Sequence, residues 1–125
     1  MGVLHCLDVG CADASVIVTD SATFLIDCYN IGDFEELLPS NKEIYCVFIT
    51  HQHRDHYSGL GFLKNEGYAI KYMIYSPYER RYNDKSVEID EWNEFNEHRD
   101  YFQGEGTELY TPYRQAEWTQ PYWAP

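Results

Sequence analysis

Thr50-His51-Gln52-His53-Arg54-Asp55-His56-Tyr57-Ser58-Gly59-Leu60 sets three imidazoles and one carboxylate within six positions. It follows directly on Ile44-Tyr45-Cys46-Val47-Phe48-Ile49, a run short and apolar enough to read as a strand buried on both faces. A loop leaving such a strand can splay its side chains toward one point. Neutral imidazole nitrogen and carboxylate oxygen are favoured zinc ligands, at roughly 2.0–2.2 Å. One histidine here would read as a solvated or capping residue; three with an aspartate point to a metal centre. Four close donors in one loop do not all reach one ion comfortably. Their alternation divides them, with His51 and His53 toward one metal and Asp55 and His56 toward another. Two neighbouring ions activate water and polarise a phosphoryl or carbonyl oxygen, and Asp55 is the candidate catalytic group that positions the water.

Outward from this loop the pattern is that of an α/β chain. Residues 3–9 read as a strand stopped by Gly10. Residues 14–19 form a second β-branched run, Asp20-Ser21 a hairpin turn, and 23–27 a third strand. Asn30 to Asp33 reads as a loop, with Asp33 capping a short helix over 34–38 that Pro39 ends. A helix is expected over 57–65 despite Gly59 and Gly61, and a strand over 70–75. Over 87–102 the apolar residues Ile89, Trp92, Phe95 and Phe102 recur at helical spacing, with acids between them. Residues 107–110 suit a short strand. The tail from Pro112 to Pro125 is rich in Tyr, Trp, Gln and Pro and has no periodicity. Neither an internal repeat nor a linker marks a second domain.

His51-x-His53-x-Asp55-His56 followed by Ser58-Gly59-Leu60 resembles the first metal motif of metallo-β-lactamase-fold hydrolases. The N-terminal run His5-Cys6-Leu7-Asp8-Val9-Gly10-Cys11-Ala12-Asp13-Ala14, with Leu25-Ile26-Asp27 after it, is similar to the opening of the ComEC/Rec2-like branch. Cys11 and Ala12 stand where that branch carries Gln and Gly. The resemblance implies an αβ/βα sandwich, with a mixed sheet flanked by helices and the metal site at one edge of the sheets. It implies zinc as cofactor in two sites, with manganese compatible with the carboxylate. It implies that Asp27 lies near the site, either as an outer partner of a ligating histidine or as a plain strand-end cap. Asp8 and Asp13 are expected to order the N-terminal turn. The later family motifs, a Gly-Asp with a bridging aspartate and further histidine ligands, have no counterpart after residue 56 beyond His98. That residue reads as a solvated helix histidine off the apolar stripe. Residues 1–125 are therefore expected to be a partial domain, the first half of the fold. Such a half is a fragment, or one part of a split enzyme completed by a partner chain or a second copy, or a binding module. Half a sandwich leaves apolar sheet uncovered, which favours a homo-oligomer or a partner chain.

The leading expectation is a metal-dependent hydrolase, phosphodiesterase- or nuclease-like by resemblance, or its N-terminal half. The alternative is a non-catalytic metal-binding or protein-interaction subunit. Thioesters, lactams and lactones share the same loop chemistry. Composition narrows these. With 21 acidic and 9 basic residues the formal net charge is −12, so this segment alone is not expected to bind nucleic acid, whose phosphates need Lys and Arg. A phosphoester substrate stays compatible, because bound cations invert the local field. A hydrophobic share of 44%, with 12 Tyr, 6 Phe and 3 Trp, suits an ordered chain with aromatic surface for a partner. Cys6, Cys11, Cys28 and Cys46 lack C-x-x-C spacing and sit in or beside apolar runs, as buried reduced thiols do. No signal peptide or membrane-spanning run is recognisable, and a cytoplasmic location is expected.

Overall fold

The computed structural model describes residues 2–7, 14–50, 53–75 and 89–111. Six strands form one mixed sheet in chain order: β1 (Val3–Cys6), β2 (Ala14–Val18), β3 (Thr23–Cys28), β4 (Glu43–Ile49), β5 (Ala69–Tyr75) and β6 (Glu108–Tyr110). The first three pair antiparallel, and β3 to β6 pair parallel. Parallel neighbours need crossovers. A 3-10 stretch (Ile31–Leu37) joins β3 to β4, α1 (Arg54–Tyr57) and α2 (Gly59–Asn65) join β4 to β5, and α3 (Ile89–Gly104) lies between β5 and β6.

The helices share one face of the sheet. Val16, Leu25, Val47, Ile49 and Met73 from the strands meet Ile31, Leu60, Leu63, Phe95 and Phe102 in a single buried cluster. Each fully buried side chain of this kind contributes roughly 1.5–3 kcal/mol relative to exposure. β4 is buried as its uniform composition implies, with Ile44, Cys46, Val47 and Ile49 each at most 2% exposed. Burial pushes the Cys46 thiol up to about 12. Phe24 alternates with core Leu25 and so points to the other face. From there a row of rings crosses four strands: Phe24 to Tyr45 at 5.2 Å, Tyr45 to Tyr72 at 5.3 Å, Tyr72 to Tyr110 at 5.9 Å. The Lys71 ammonium sits 5.3 Å from the rings of both Tyr45 and Tyr72.

Two irregularities place the functional residues. The β2–β3 turn falls at Asp20-Ser21 as read, closed by the Thr19 N–H donating to the Ala22 carbonyl at 2.9 Å. At the other end of that hairpin the ladder slips: Ala14 opposes Cys28, and Ser15 opposes Ile26. Asp27 is left as the extra residue of a β-bulge, at φ 55° in the left-handed region. A bulge re-aims its side chain, and Asp is among the few residues that tolerate this backbone. The second irregularity is the missing cap at Asp33. The 3-10 stretch already begins at Ile31, because Asn30 adopts φ 53° and accepts from the Asp33 N–H at 2.9 Å. The expected helix over 34–38 is thus an earlier 3-10 segment.

Some expectations about exposure change too. Ile89, placed on the apolar stripe by its spacing, is 55% exposed, whereas Phe95 and Phe102 are in the core. The first turn of α3 meets α1, where acids rather than apolar groups make the contacts. Cys6 is exposed, unlike Cys28 and Cys46. Cys11 and the tail after residue 111 lie outside the described residues.

Candidate metal centre

β4 ends at Ile49, and the chain turns directly into the histidine-rich loop. That end of the sheet is where open α/β folds place ligands, beyond the carboxyl ends of parallel strands and near a switch in strand connection. Here the switch is β3, antiparallel to β2 and parallel to β4. β3 ends beside the loop and carries the bulged Asp27.

Asp27 is 3% exposed and its carboxylate is fully engaged. Thr50 donates from its backbone N–H to Oδ1 at 2.8 Å and from its hydroxyl to Oδ2 at 2.6 Å. His56 Nδ1 lies 3.0 Å from the same Oδ2. A carboxylate only accepts, so Nδ1 carries the proton and Nε2 holds the ring's lone pair. Nε2 faces the Asp55 side, 3.8 Å from Asp55 Oδ1. His53, Asp55 and His56 each bring a ligand atom to within 4.8 Å of the others, the one such group among the described residues. The His56 side chain is 13% exposed and Asp55 51%, so the group opens to solvent on the carboxylate side. Two imidazoles and a carboxylate, one ring oriented by a buried aspartate, match the donor chemistry and outer support of a transition-metal site. The residues present therefore fit the metal that the loop implies. His51, Asp8 and Asp13 lie outside the described residues.

Asp27 is not a bare strand-end residue: its carboxylate accepts from both Thr50 and His56. Thr50, which carries no signal of its own in the sequence, supplies two of the three bonds that hold Asp27. Arg54, Tyr57 and Glu91 were also unread. Arg54 sits between two candidate ligands and reaches Glu94 at 3.3 Å and Asp90 at 3.4 Å. The buried Tyr57 donates its hydroxyl to the Glu91 carbonyl at 2.9 Å. Burial, and then the nearby Glu94, push the Tyr57 phenol well above its usual range, so it stays a donor. Only the run of acids in 90–94 could have signalled these contacts.

Cys28 follows Asp27 but is no ligand. It is fully buried, its Sγ lies 3.6 Å from the Tyr57 carbonyl, and burial together with the Asp27 charge drives its thiol up, away from thiolate.

His98 is not the solvated histidine its place off the stripe implied. It packs against α2 at Gly61, where an added Cβ would lie 3.5 Å from its Cε1, and its Nδ1 is buried without a hydrogen-bond partner. Burial depresses its pKa, with Glu94 opposing and Lys64 reinforcing that shift. The folded state therefore takes up this proton less readily than the unfolded chain. Stability from this group is intact above the unfolded value of about 6.5 and declines as pH falls below it toward the depressed folded value. His98→Gln is expected to flatten the pH dependence of the urea midpoint below about 6.5. An unchanged slope would show that other groups set it.

The sequence profile of the metallo-beta-lactamase superfamily matches residues 8–114, most of the chain. No curated protein matches it significantly. The chain thus belongs to the metallo-beta-lactamase superfamily, a family of metal-dependent hydrolases, and its mixed six-stranded sheet with helices agrees with that fold.

Proposed function

We propose that this chain is a metal-dependent hydrolase of phosphodiester bonds, or the part of one that carries the first ligand loop. The observation that carries this reading is the bond that His56 Nδ1 donates to buried Asp27, beside a His53–Asp55–His56 group gathered within 4.8 Å. In this reading His51, His53, Asp55 and His56 hold zinc or manganese. The bound metal supplies activated water and polarises the substrate oxygen. The chain's own residues do the rest. Asp27 fixes the His56 tautomer, Thr50 holds Asp27, and the half-exposed Asp55 orients the attacking water on the open side.

The preference for phosphodiesters rests on the likeness of residues 5–14 and 25–27 to the ComEC/Rec2-like opening. A cytoplasmic location agrees with reduced Cys28 and Cys46; among the described residues no helix is long and apolar enough to cross a membrane. The row Phe24, Tyr45, Tyr72 and Tyr110 favours a second reading, a subunit completed by another chain or a second copy across that face.

Hydrolysis of bis-p-nitrophenyl phosphate, with zinc or manganese added, tests the first reading. His53→Ala and Asp55→Ala should each reduce turnover by more than the roughly 10- to 100-fold that losing an outer partner costs. A chelator should abolish it and added metal restore it. Turnover indifferent to both substitutions and to the chelator would refute the assignment.

A further inference from the structure

α1 has four residues, too few to be stable alone, yet it carries two of the three gathered donors. Its N-cap residue is His53, whose side chain makes no capping bond. An imidazole that belongs to a ligand group is not available to cap. Helix starts leave N–H groups that need acceptors, and here the acceptor comes from another helix: the Arg54 N–H donates to Glu91 Oε2 at 2.7 Å. Three more bonds join the same two elements. Arg54 Nε meets Glu94 Oε1, Arg54 Nη2 meets Asp90 Oδ2, and the Tyr57 hydroxyl donates to the Glu91 carbonyl. Tyr57 also packs its ring on Phe95, with centroids 5.7 Å apart.

We propose that the first turns of α3 are a latch that sets the geometry of the metal-ligand turn, with Glu91 and Arg54 as positioning residues. This rests on the metal-dependent reading above. Glu91 stands in for the cap that His53 cannot provide, and Arg54 fixes the rotation of α1 about that point. The Arg54 pairs are solvent-exposed, at 47% for Arg54 against 73% for Asp90 and 41% for Glu94. Exposed pairs add little to stability, so their consequence is orientation rather than folding.

The test is zinc titration of the full chain against a competing chromophoric chelator, with urea unfolding of the metal-free protein alongside. Glu91→Ala should weaken zinc binding by about 10- to 100-fold, the range for lost outer partners, at a nearly unchanged urea midpoint. Arg54→Met should fall at the lower end of that range. Glu91→Gln, whose amide oxygen still accepts the Arg54 N–H, should stay near the parent. Amide exchange at residues 54, 56 and 57 should accelerate in Glu91→Ala alone. Parent-like zinc affinity in Glu91→Ala and Arg54→Met overturns the proposal. So does a loss of affinity that merely follows a loss of stability, or a Glu91→Gln as impaired as Glu91→Ala. His53→Ala separates the two levels: if the parent binds zinc no better than His53→Ala, the metal reading itself fails and the positioning role falls with it.

Discussion

Asp27→Asn is expected to weaken metal binding by about 10- to 100-fold while the chain stays folded. The size of the side chain is kept, and Asn tolerates the left-handed backbone at φ 55° as Asp does. What changes is the proton map. Oδ1 accepts from the Thr50 N–H, and Oδ2 accepts from both the Thr50 hydroxyl and His56 Nδ1. With the carbonyl oxygen of Asn kept on the Thr50 N–H, its NH2 faces two former donors. The hydroxyl can turn round and accept. The imidazole can accept only by shedding its Nδ1 proton, which moves the hydrogen to Nε2, the nitrogen needed for a metal. Chelator competition reads the affinity, and nitrogen NMR of the imidazole reads the tautomer. An unchanged affinity with Nδ1 still protonated would sink the argument. Asp27→Ala is expected to be worse for the fold. It takes the acceptor away from the part-buried Thr50 and His56 donors and keeps a left-handed residue at roughly 1–2 kcal/mol.

Gly59→Ala is expected to be the most destabilising alanine substitution among the described glycines. A Cβ at Gly59 would lie 1.9 Å from the Cys28 carbonyl oxygen, 2.9 Å from its carbon and 2.8 Å from Ile31 Cγ2. The first two are backbone atoms and cannot swing aside. Overpacking typically costs about 1–3 kcal/mol, and a clash with main chain belongs at or above the top of that range. Against a total stability of roughly 5–15 kcal/mol that is a large share. The displacement would also part α2 and α1 from the end of β3, and so His56 from Asp27. Gly61→Ala is the control. Its Cβ would meet His98 Cε1 at an ordinary 3.5 Å, and alanine gains up to about 1 kcal/mol in helix propensity. Urea midpoints of the two variants should move in opposite directions. Equal effects would mean that the close approach at Gly59 is relieved cheaply.

The metal loop was legible because its information is local. Three imidazoles and a carboxylate after an apolar run need no knowledge of distant residues. The strands were legible for the same reason, with β-branched and aromatic runs punctuated by polar turns. Boundaries blurred where tertiary contact overrode local preference. Ile31–Leu37 tightened into a 3-10 stretch because Asn30 turned left-handed. Ile89 kept helical spacing but lies outside the core, in the turn of α3 whose acids meet α1. His98 looked solvated from its angle on the wheel, and packing against Gly61 buried one of its nitrogens.

By itself, the sequence determined the α/β class, a loop in which His53, Asp55 and His56 lie close enough to gather, and a chain of formal net charge −12. These follow from residue type and short-range order. Only the tertiary structure decided what those donors lean on. A one-residue slip between β2 and β3 turned Asp27 toward Thr50 and His56, from 29 positions away in the latter case. The packing of α3 brought Glu91 to Arg54, 37 positions apart. Pairings over such separations depend on strand register and helix docking, which are set by the summed burial of the core. No local run of residues encodes them.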